Sequence, residues 1–564
     1  MPPSPRPDRE PWWGRARPAA AIVAILAVAA FARSLANDFT YDEPLVIVRA
    51  QNFLRSGSFG TLLSKDYFGA SLEGTWRPFC TLTYMLDAAI GMHPAVFKAQ
   101  SLVWHIGAAW LLMALARRLL PERARRWALA AGLFFALHPI TTETVDNASF
   151  REDSLVTFFV LATLLASLAG RRWLALGAFV LGLLSKESAV VAPALLLLIR
   201  AAGLDRAGAP PPSRRSAAPP AGRPALGALL GEVVPMGIVT VAYLAIRFGP
   251  MATPIQYARY PGGTFVATLA GLPAIWAHDI RLLLVPWPLC ADYTGYFRFG
   301  RQALQPPAAF AGALAAVLAL VALAIAAVRR GRPLIAFGIA WFFVALVPVS
   351  NLMPIPIPAA ERFLYLPLAG IALAVAAAAA AAAERLSRAA VRPALAAVAA
   401  LAAAYIVVCN RRHRDWHDDA TLWRATTVVN PRSCGAQGAV GGGLFDEAVA
   451  AGDAPALLRQ SAARQELALS LCADDSDPYR AGMLYTRLGA ARALLGDRAG
   501  ARAALERAAA LFPRYALAYA WMGYLAYQED DLDRAAALLK YALIDLGPPD
   551  GGVATVARRY VDKL

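Results

Sequence analysis

The chain has 564 residues, of which 58% are hydrophobic and 17% are charged, and its formal net charge is +16. This composition excludes an ordinary soluble protein and is typical of a polytopic membrane protein, with length left for one soluble domain. The charge does not indicate nucleic-acid binding, because residues 434–564 hold 14 Lys and Arg against 16 Asp and Glu. The basic excess lies largely in short loops between apolar segments, where it sets orientation in a membrane.

Eleven apolar segments predict membrane-spanning helices, each of which needs roughly 20 residues to cross the bilayer core. We place the spans at 18–36, 96–116, 127–138, 154–169, 173–184, 189–200, 226–246, 308–328, 333–350, 363–383 and 391–409. Arginines lie before the first span and after every second one: Arg6, Arg9, Arg15, Arg17; Arg117, Arg118, Arg123, Arg125, Arg126; Arg171, Arg172; the linker 200–225; Arg329, Arg330, Arg332; and Arg385, Arg388, Arg392. This alternation predicts a cytoplasmic N-terminus and an extracytoplasmic C-terminal region.

One apolar segment does not fit the alternation. Residues 264–288 include His278, Asp279 and Arg281, and a further span there would reverse the predicted side of everything that follows. We therefore predict a helix that lies in the outer interface, with a span as the open alternative. Neighbouring aromatic residues suit headgroup anchoring or stacking on a sugar, namely Trp287, Tyr293 and Tyr296. The first span has its own alternative, a cleaved signal peptide, because "SLA" before Asn37 resembles a cleavage site.

Residues 434–564 follow a helical repeat pattern. Small and apolar residues recur after 34 positions, and a proline follows each unit: Gly489 and Gly523, Ala501 and Ala535, Leu505 and Leu539, then Pro513 and Pro548. This is the tetratricopeptide pattern of paired helices, with repeats at 482–515 and 516–549. A degenerate unit is expected at 434–472, because about three repeats are needed to bury a continuous core. A generic helical hairpin is the alternative.

The domain prediction follows from these patterns: a membrane domain at 1–409, a connector at 410–433 and the repeat domain at 434–564. The five cysteines form no CxxC motif and no cluster with histidine, so a zinc site is not expected. Cys434 and Cys472 can pair if the repeat domain lies in an oxidising compartment, although their spacing alone does not decide this.

Two adjacent acids, Asp42 and Glu43, follow the first span directly in "NDFTYDEP". Apolar surroundings and a neighbouring like charge both raise the pKa of a carboxyl group, which suits a general base. A solvated loop is the plain alternative on spacing alone.

Other charged residues are predicted on the same side of the membrane. They are Arg77 in "TWRPF", His138, Glu143, Asp146, Arg151, Glu152 and Asp153 in "HPITTETVDNASFREDS", Lys186 and Glu187 in "LSKES", and Glu361 and Arg362 in "PAAERFLYLP". Ionisable residues at membrane depth are costly and therefore indicate function, although each one alone can be a salt bridge or an interfacial residue. Together they predict an outward-facing cavity, with acids for proton transfer and cations for an anion.

The motifs "NDFTYDEP", "WRPF", "FFALHPITTETV", "LLSKES", "LLLVPWPLCADYT" and "ERFLYLP" stand in this order before the repeats. In this arrangement the chain resembles the transmembrane and tetratricopeptide-repeat O-mannosyltransferase family and its bacterial relatives, which are similar to GT-C fold glycosyltransferases. The resemblance implies an all-α fold, with a polytopic GT-C-type domain and a tetratricopeptide-repeat α-solenoid. It also implies transfer of a sugar, typically mannose, from a polyprenyl-phosphate donor to a protein hydroxyl outside the cytoplasm.

The resemblance assigns candidate roles to single residues. It implies that Asp42 is the base, that Glu43 positions Asp42 or the acceptor, and that Glu143 is the second-loop acid. Donor phosphate binding is expected first from Arg362 and then from Lys186, Arg151 and Arg77. Supporting roles are expected for His138, Glu187 and Glu361, with a structural role as the alternative for His138.

No ligand spacing in the sequence requires a metal, so we predict that no cofactor is required. The expected partners are the lipid-linked sugar and a protein acceptor that the repeats capture, in a bacterial inner membrane with the repeats in the periplasm. Alternatives stay open. The acceptor can be a glycan or a lipid, or the chain can be a non-catalytic membrane scaffold. A transporter would need charges deep within the spans and repeat symmetry between halves, and neither is evident.

Overall fold

The computed structural model describes residues 14–206, 226–252, 260–355, 357–472 and 478–545. Every regular element among them is a helix, which confirms the all-α fold class. The α-helices are α1 (Ala16–Phe31), α2 (Gln51–Ser56), α3 (Tyr67–Ser71), α4 (Pro78–Ile90), α5 (Pro94–Leu119), α6 (Ala128–Leu137), α7 (Thr142–Asp146), α8 (Arg151–Leu168), α9 (Arg172–Ser185), α10 (Ala192–Ala201), α11 (Leu226–Phe248), α12 (Phe265–Leu284), α13 (Pro307–Arg329), α14 (Pro333–Leu346), α15 (Tyr365–Ala383), α16 (Arg388–Asp415), α17 (Asp419–Val429), α18 (Cys434–Ala450), α19 (Pro455–Leu471), α20 (Pro478–Leu494), α21 (Arg498–Leu511), α22 (Ala516–Gln528) and α23 (Leu532–Lys540).

Short 3-10 helices connect these elements at Ala32–Ala36, Phe59–Leu63, Glu122–Trp127, Pro139–Thr141, Ala148–Phe150, Glu187–Val191, Leu204–Arg206, Gly300–Leu304, Val347–Val349 and Glu361–Leu364. Two π-helical turns lie at Pro44–Arg49 and Tyr541–Asp545. Several predicted features lie outside the described residues, namely Arg6, Arg9, most of the linker 200–225, and Pro548.

Each of the eleven predicted spans coincides with a helix. Within the described ranges, six helices are long and apolar enough to cross a membrane: Ala16–Ala36, Pro94–Leu119, Leu230–Phe248, Pro307–Arg329, Glu361–Ala383 and Ala389–Asp415. A seventh is formed if Glu122–Leu137 and Pro139–Asp146, bent by 49°, are taken as one span. The chain is thus an integral membrane protein, and the count of eleven spans stays a prediction.

One of the shorter predicted spans, α6, is short for a local reason. Helix α6 has 10 residues and ends at Leu137, because Pro139 disfavours a helical conformation of the residue before it. At 1.5 Å per residue it is about half as long as the bilayer core is thick. The segment predicted to lie in the interface forms α12, which is not among the six candidate spans.

Helices α14 and α15 contact each other through their backbones. A Cβ atom on Gly338 would lie 2.3 Å from the carbonyl oxygen of Gly370, and one on Gly370 would lie 2.6 Å from that of Gly338. Only glycine fits at such a contact, and small residues allow the same close approach between membrane helices. The start of α15 and the adjoining Glu361–Leu364 turn are thereby held against a rigid neighbour.

The chain forms two compact units, one of Met1–Leu289 with Phe299–Asp419 and one of Cys290–Arg298 with Ala420–Leu564. The predicted connector is largely helical, since α16 continues past the end of the last predicted span and α17 follows it. In the second unit, the segment Cys290–Arg298 is hydrogen-bonded to residues that precede α18. The Asp292 carboxylate accepts a hydrogen bond from Ser433 (2.6 Å), and Asn430 donates to the Asp292 carbonyl oxygen (2.9 Å).

The second unit contains three successive helix pairs, α18 with α19, α20 with α21, and α22 with α23. The predicted 34-residue period is visible in their contacts. A Cβ atom on Gly489 would lie 2.6 Å from Leu505, and one on Gly523 would lie 2.9 Å from Leu539. Cys434 and Cys472 form a disulfide with Cα atoms 5.7 Å apart, which joins the ends of the first pair.

Candidate active site

Asp42 lies in the short connection between the first span and the π-helical turn, next to Tyr41, which has a left-handed backbone (φ 61°). Its side chain is exposed to solvent. Among the described residues, the Asp42 carboxylate accepts no hydrogen bond and forms no ion pair within 4 Å, since only its backbone carbonyl is used, by Leu45 and Val46. This carboxyl group is therefore available to a substrate.

Protein atoms nevertheless surround Asp42 densely. Their desolvation raises the pKa of Asp42 to about 6, and the nearby Arg362 guanidinium opposes the rise. The carboxylates of Glu152, Asp419 and Glu143 act in the same direction as desolvation. A side chain that is both accessible to solvent and enclosed by protein lies in a recess, and we call this site the Asp42 recess.

Arg362 is the cation that acts most strongly on Asp42, and Glu143 fixes it in place. The Arg362 amide donates to Glu143 Oε2 (2.7 Å), and its Nη1 donates to Glu143 Oε1. The guanidinium stacks on Phe150, 3.9 Å from the ring centroid. Within the described part of the chain, Nε and Nη2 of Arg362 donate to no protein acceptor, so two donor nitrogens remain for an anion.

Further cations form a connected network beside Arg362. Arg77 Nη1 donates to Glu152 (2.8 Å), and Lys186 Nζ donates to Asp153 (2.6 Å). Lys186 also lies 3.7 Å from Glu152. Glu187 joins the network, because its Oε1 lies 3.7 Å from Arg77 Nη2. Predicted residues from four separate loops thus lie together in the recess.

Two other predicted acids, Glu43 and Glu361, lie outside the recess. Glu43 is fully buried and accepts hydrogen bonds from the amides of Thr40 (2.7 Å) and Ala148 (2.6 Å), with Lys98 Nζ at 3.4 Å. Glu361 is also buried, and Arg412 Nη2 donates to it (3.3 Å). Both acids hold loops in place and do not line the site.

The assignment of Arg151 to the donor phosphate is corrected by its surroundings. Its guanidinium is fully buried, and all five N–H donors are used within the protein. The acceptors are Asp87 (2.6 Å), the carbonyl oxygen of Phe97 (2.7 Å), Thr83 (2.9 Å), Ser101 (3.1 Å) and Gln100. We call these six residues the Arg151 cluster. No donor is left for a phosphate.

His138 does not orient Glu143. Its Nδ1 accepts a hydrogen bond from the amide of Ile140 (3.3 Å), and its Nε2 lies 3.1 Å from the carbonyl oxygen of Leu283. Both ring nitrogens are used to cap a turn and to attach α12. The structural alternative for His138 therefore holds.

Two residues of the recess were not predicted from the sequence. Burial raises the pKa of Glu73 to about 8, with Arg77 opposing the rise and Glu152 and Asp42 adding to it, so Glu73 lies close to both. Arg247 at the end of α11 lies 3.5 Å from Glu187. In the sequence, Arg247 could have been found as a lone cation at the predicted outer end of a span. Glu73 lies in a loop without a motif that would distinguish it.

A metal site is not evident in the described ranges, where no three His, Cys, Asp or Glu side chains are grouped to hold an ion. The positively charged side chains of the recess are Arg362 and the cations of the network. Independence from metal stays a prediction that a chelator experiment decides.

Apolar helices of membrane-spanning length and a charged recess between loops define a polytopic membrane protein with an enzyme-like site. Comparison with known proteins shows which proteins the chain is similar to. The chain is 24% identical over 492 residues to the protein O-mannosyl-transferase TMTC4 of Mus musculus, covering 78% of this chain and 64% of the relative. TMTC4 of Homo sapiens matches at 24% over 488 residues, with the same coverage.

A third relative matches a shorter region more closely. The protein O-mannosyl-transferase Tmtc2 of Drosophila melanogaster is 34% identical over 188 residues, which are 30% of this chain and 20% of that protein. No family model and no solved structure matches the chain. The chain spans just under two thirds of the length of the mouse and human relatives. These similarities confirm the resemblance, and the chain is a relative of the transmembrane and tetratricopeptide-repeat O-mannosyltransferases.

Proposed function

We propose that this protein is a GT-C-type glycosyltransferase that moves a sugar, mannose in the first instance, from a polyprenyl-phosphate donor to a hydroxyl group of a protein. The observation that carries the proposal is the solvent-accessible Asp42 carboxylate, which has no partner among the described residues and lies near Arg362, two of whose nitrogens donate to no described residue. The relatives are protein O-mannosyl-transferases by name, which supports the reaction class.

In the proposed reaction, Asp42 takes the proton of the acceptor hydroxyl as the hydroxyl oxygen attacks the anomeric carbon. A bond forms between that oxygen and the carbon, and the bond from the carbon to the phosphate oxygen breaks. The electron pair leaves with the lipid phosphate, whose negative charge grows in the transition state. Attack from the face opposite the leaving group predicts inversion at the anomeric carbon.

Arg362 is proposed to hold this phosphate. Its Nε and Nη2 can contact two phosphate oxygens, while Glu143 fixes the guanidinium from the other side. Lys186 and Arg77 add positive charge nearby, although carboxylates already pair with both. A preorganised cation of this kind stabilises charge that develops on the leaving group.

The proposed location is a bacterial inner membrane, with the recess and the helix pairs of the second unit in the periplasm. Alternation of basic loops supports this orientation, and so does the Cys434–Cys472 disulfide, since disulfides persist in oxidising compartments. The helix pairs are proposed to bind the acceptor, because stacked pairs offer an extended concave surface.

The test uses full-length protein in lipid, radiolabelled polyprenyl-phosphate mannose and a periplasmic extract. Asp42→Asn keeps the side-chain shape and removes the base, and Asp66→Asn is the matched control in an exposed part of the same loop. The proposal expects label on protein with wild type and Asp66→Asn, but not with Asp42→Asn. Label on lipid or glycan would show that the acceptor is not a protein. Transfer by folded Asp42→Asn at the wild-type rate would refute the mechanism.

Metal dependence is tested in the same assay with a chelator. We expect transfer to continue after chelation, because Arg362 and the cation network supply the positive charge. Loss of transfer that added Mg²⁺ or Mn²⁺ restores would show that a metal takes part.

A further inference from the structure

A small cavity lies beside the Asp42 recess in the first unit. Residues of α12 form one wall, the end of α14 forms another, and the chain segment on both sides of Arg362 forms the third. The lining side chains used below are Asp279, Trp276, Ser350 and Phe363. The cavity has room for about one water molecule.

Asp279 is the unusual group of this cavity. Its side chain is only 5% exposed, and its carboxyl group makes no hydrogen bond or ion pair with any residue in the described ranges. Burying such a group without a partner costs free energy, which a hydrogen-bond donor in the cavity would recover. The neighbouring Ser350 cannot supply that donor, because its hydroxyl donates to Leu346 (2.7 Å) and accepts from Trp276 (3.1 Å).

The cavity is close to the proposed phosphate site. The Phe363 ring that lines it also contacts two cations of the recess: the Arg362 guanidinium carbon is 5.4 Å from the ring centroid, and Lys186 Nζ is 5.7 Å from it. The Phe363 ring therefore borders both the cavity and these two cations. In a sugar phosphate, the sugar is bonded directly to the phosphate, so its hydroxyl groups must lie within a few ångströms of Arg362.

We propose that the Asp279 cavity receives one hydroxyl group of the donor sugar, and that Asp279 accepts its hydrogen bond and thereby selects the sugar. This inference rests on the proposed function. A hydroxyl group is the size of the water that the cavity can hold, and a carboxylate is the strongest acceptor for it.

A set of monodeoxy sugar donors tests the proposal. With wild type, one deoxy donor should lose about 10- to 100-fold in kcat/KM, because the buried carboxyl group is left without its partner. Asp279→Ala should lose a similar factor with the complete sugar and nothing further with that same deoxy donor. Every other deoxy donor should behave with the variant as it does with wild type. This pattern is a double-mutant cycle between the protein and the sugar.

Control variants separate this result from a general disturbance. Ser350→Ala removes two hydrogen bonds of the cavity wall but keeps the carboxyl group, so the selected hydroxyl should stay the same. Asp279→Leu, which has a similar branched shape and no hydrogen-bond acceptor, replaces Asp279→Ala if the latter fails to fold. If folded Asp279 variants discriminate all deoxy donors as wild type does, the cavity holds only water and the proposal is wrong. If wild type uses no sugar donor at all, the proposed function fails first.

Discussion

The Asp42 recess and the Arg151 cluster each contain an arginine and an aspartate, but only the arginine of the cluster, which lies on α8 against α4 and α5, has every donor used. In the cluster, all five donors of Arg151 have acceptors, and solvent reaches none of the guanidinium. In the recess, among the described residues, Asp42 has no partner, and two nitrogens of Arg362, Nε and Nη2, donate to no acceptor. A complete set of partners indicates structural support, whereas unused donors and acceptors indicate a place for a ligand.

The largest expected effect concerns the Arg151 cluster. Asp87→Ala leaves the Arg151 guanidinium buried without its counter-ion, and removing one partner of a buried pair costs about 3–5 kcal/mol. We expect a clearly lower melting temperature in detergent, measured by thermal unfolding. Asp66→Ala, at an exposed position, is the control and should melt as wild type does. An unchanged melting temperature for Asp87→Ala would show that the cluster is not structural.

The next effect concerns Arg362. Arg362→Lys keeps the positive charge beside Glu143 but removes the planar pair of donors, so transfer should fall about 10- to 100-fold. The melting temperature should change little. Arg123→Lys is the matched control, because this arginine is exposed and forms a surface ion pair with Glu384 (3.2 Å). Full activity of Arg362→Lys would mean that a point charge is sufficient and that no bidentate contact occurs.

The pH dependence of transfer follows from Asp42. Desolvation raises its pKa from 3.8 to about 6, and catalysis requires the ionised form. The kcat/KM for transfer should therefore fall about tenfold per unit below pH 6. The contribution of Asp42 to the free energy of unfolding changes with pH in the opposite direction. Because the pKa of Asp42 is raised in the folded state, this contribution to stability is lost as the pH rises through 6. An acidic limb near pH 4 would place Asp42 in an environment more like water.

The smallest effect compares two glycines of the helix pairs. Gly489→Ala places a methyl group 2.6 Å from Leu505, and overpacking of this kind costs about 1–3 kcal/mol. Gly443→Ala meets nothing within 4 Å in α18 and should gain about 0.5–1 kcal/mol from helix propensity. Equal stabilities of the two variants, measured by thermal unfolding, would remove the basis for the 34-residue packing period.

The sequence was informative where a local pattern decides the outcome. Apolar runs predicted the helices correctly, and the recurrence of Gly489 at Gly523 marked contacts that the structure contains. Proline explains why α6 is short. The number of helices that cross the membrane is a different question, because it depends on packing and on the surrounding lipid.

The sequence alone did not show which charged residues pair with each other. Lys186 and Arg151 look alike as cations beside predicted spans, yet Arg151 is enclosed because Asp87 on α4 lies against it. Glu43 follows Asp42 directly, but the backbone directs it to buried amides at Thr40 and Ala148. Such differences follow from which helices pack together, and a linear pattern does not contain that information.

The most direct test of the account measures two properties of Asp42→Asn in purified protein, namely its melting temperature and its rate of single-turnover sugar transfer with saturating donor. Asp42 has no partner among the described residues, and desolvation disfavours its charged form, so we predict a melting temperature at neutral pH that is no lower than that of wild type. Transfer should be slower by about 10²- to 10⁴-fold, the usual contribution of a general base. Transfer at the wild-type rate, or a loss of activity that only accompanies unfolding, would contradict the assignment of Asp42 as the residue that acts on the substrate.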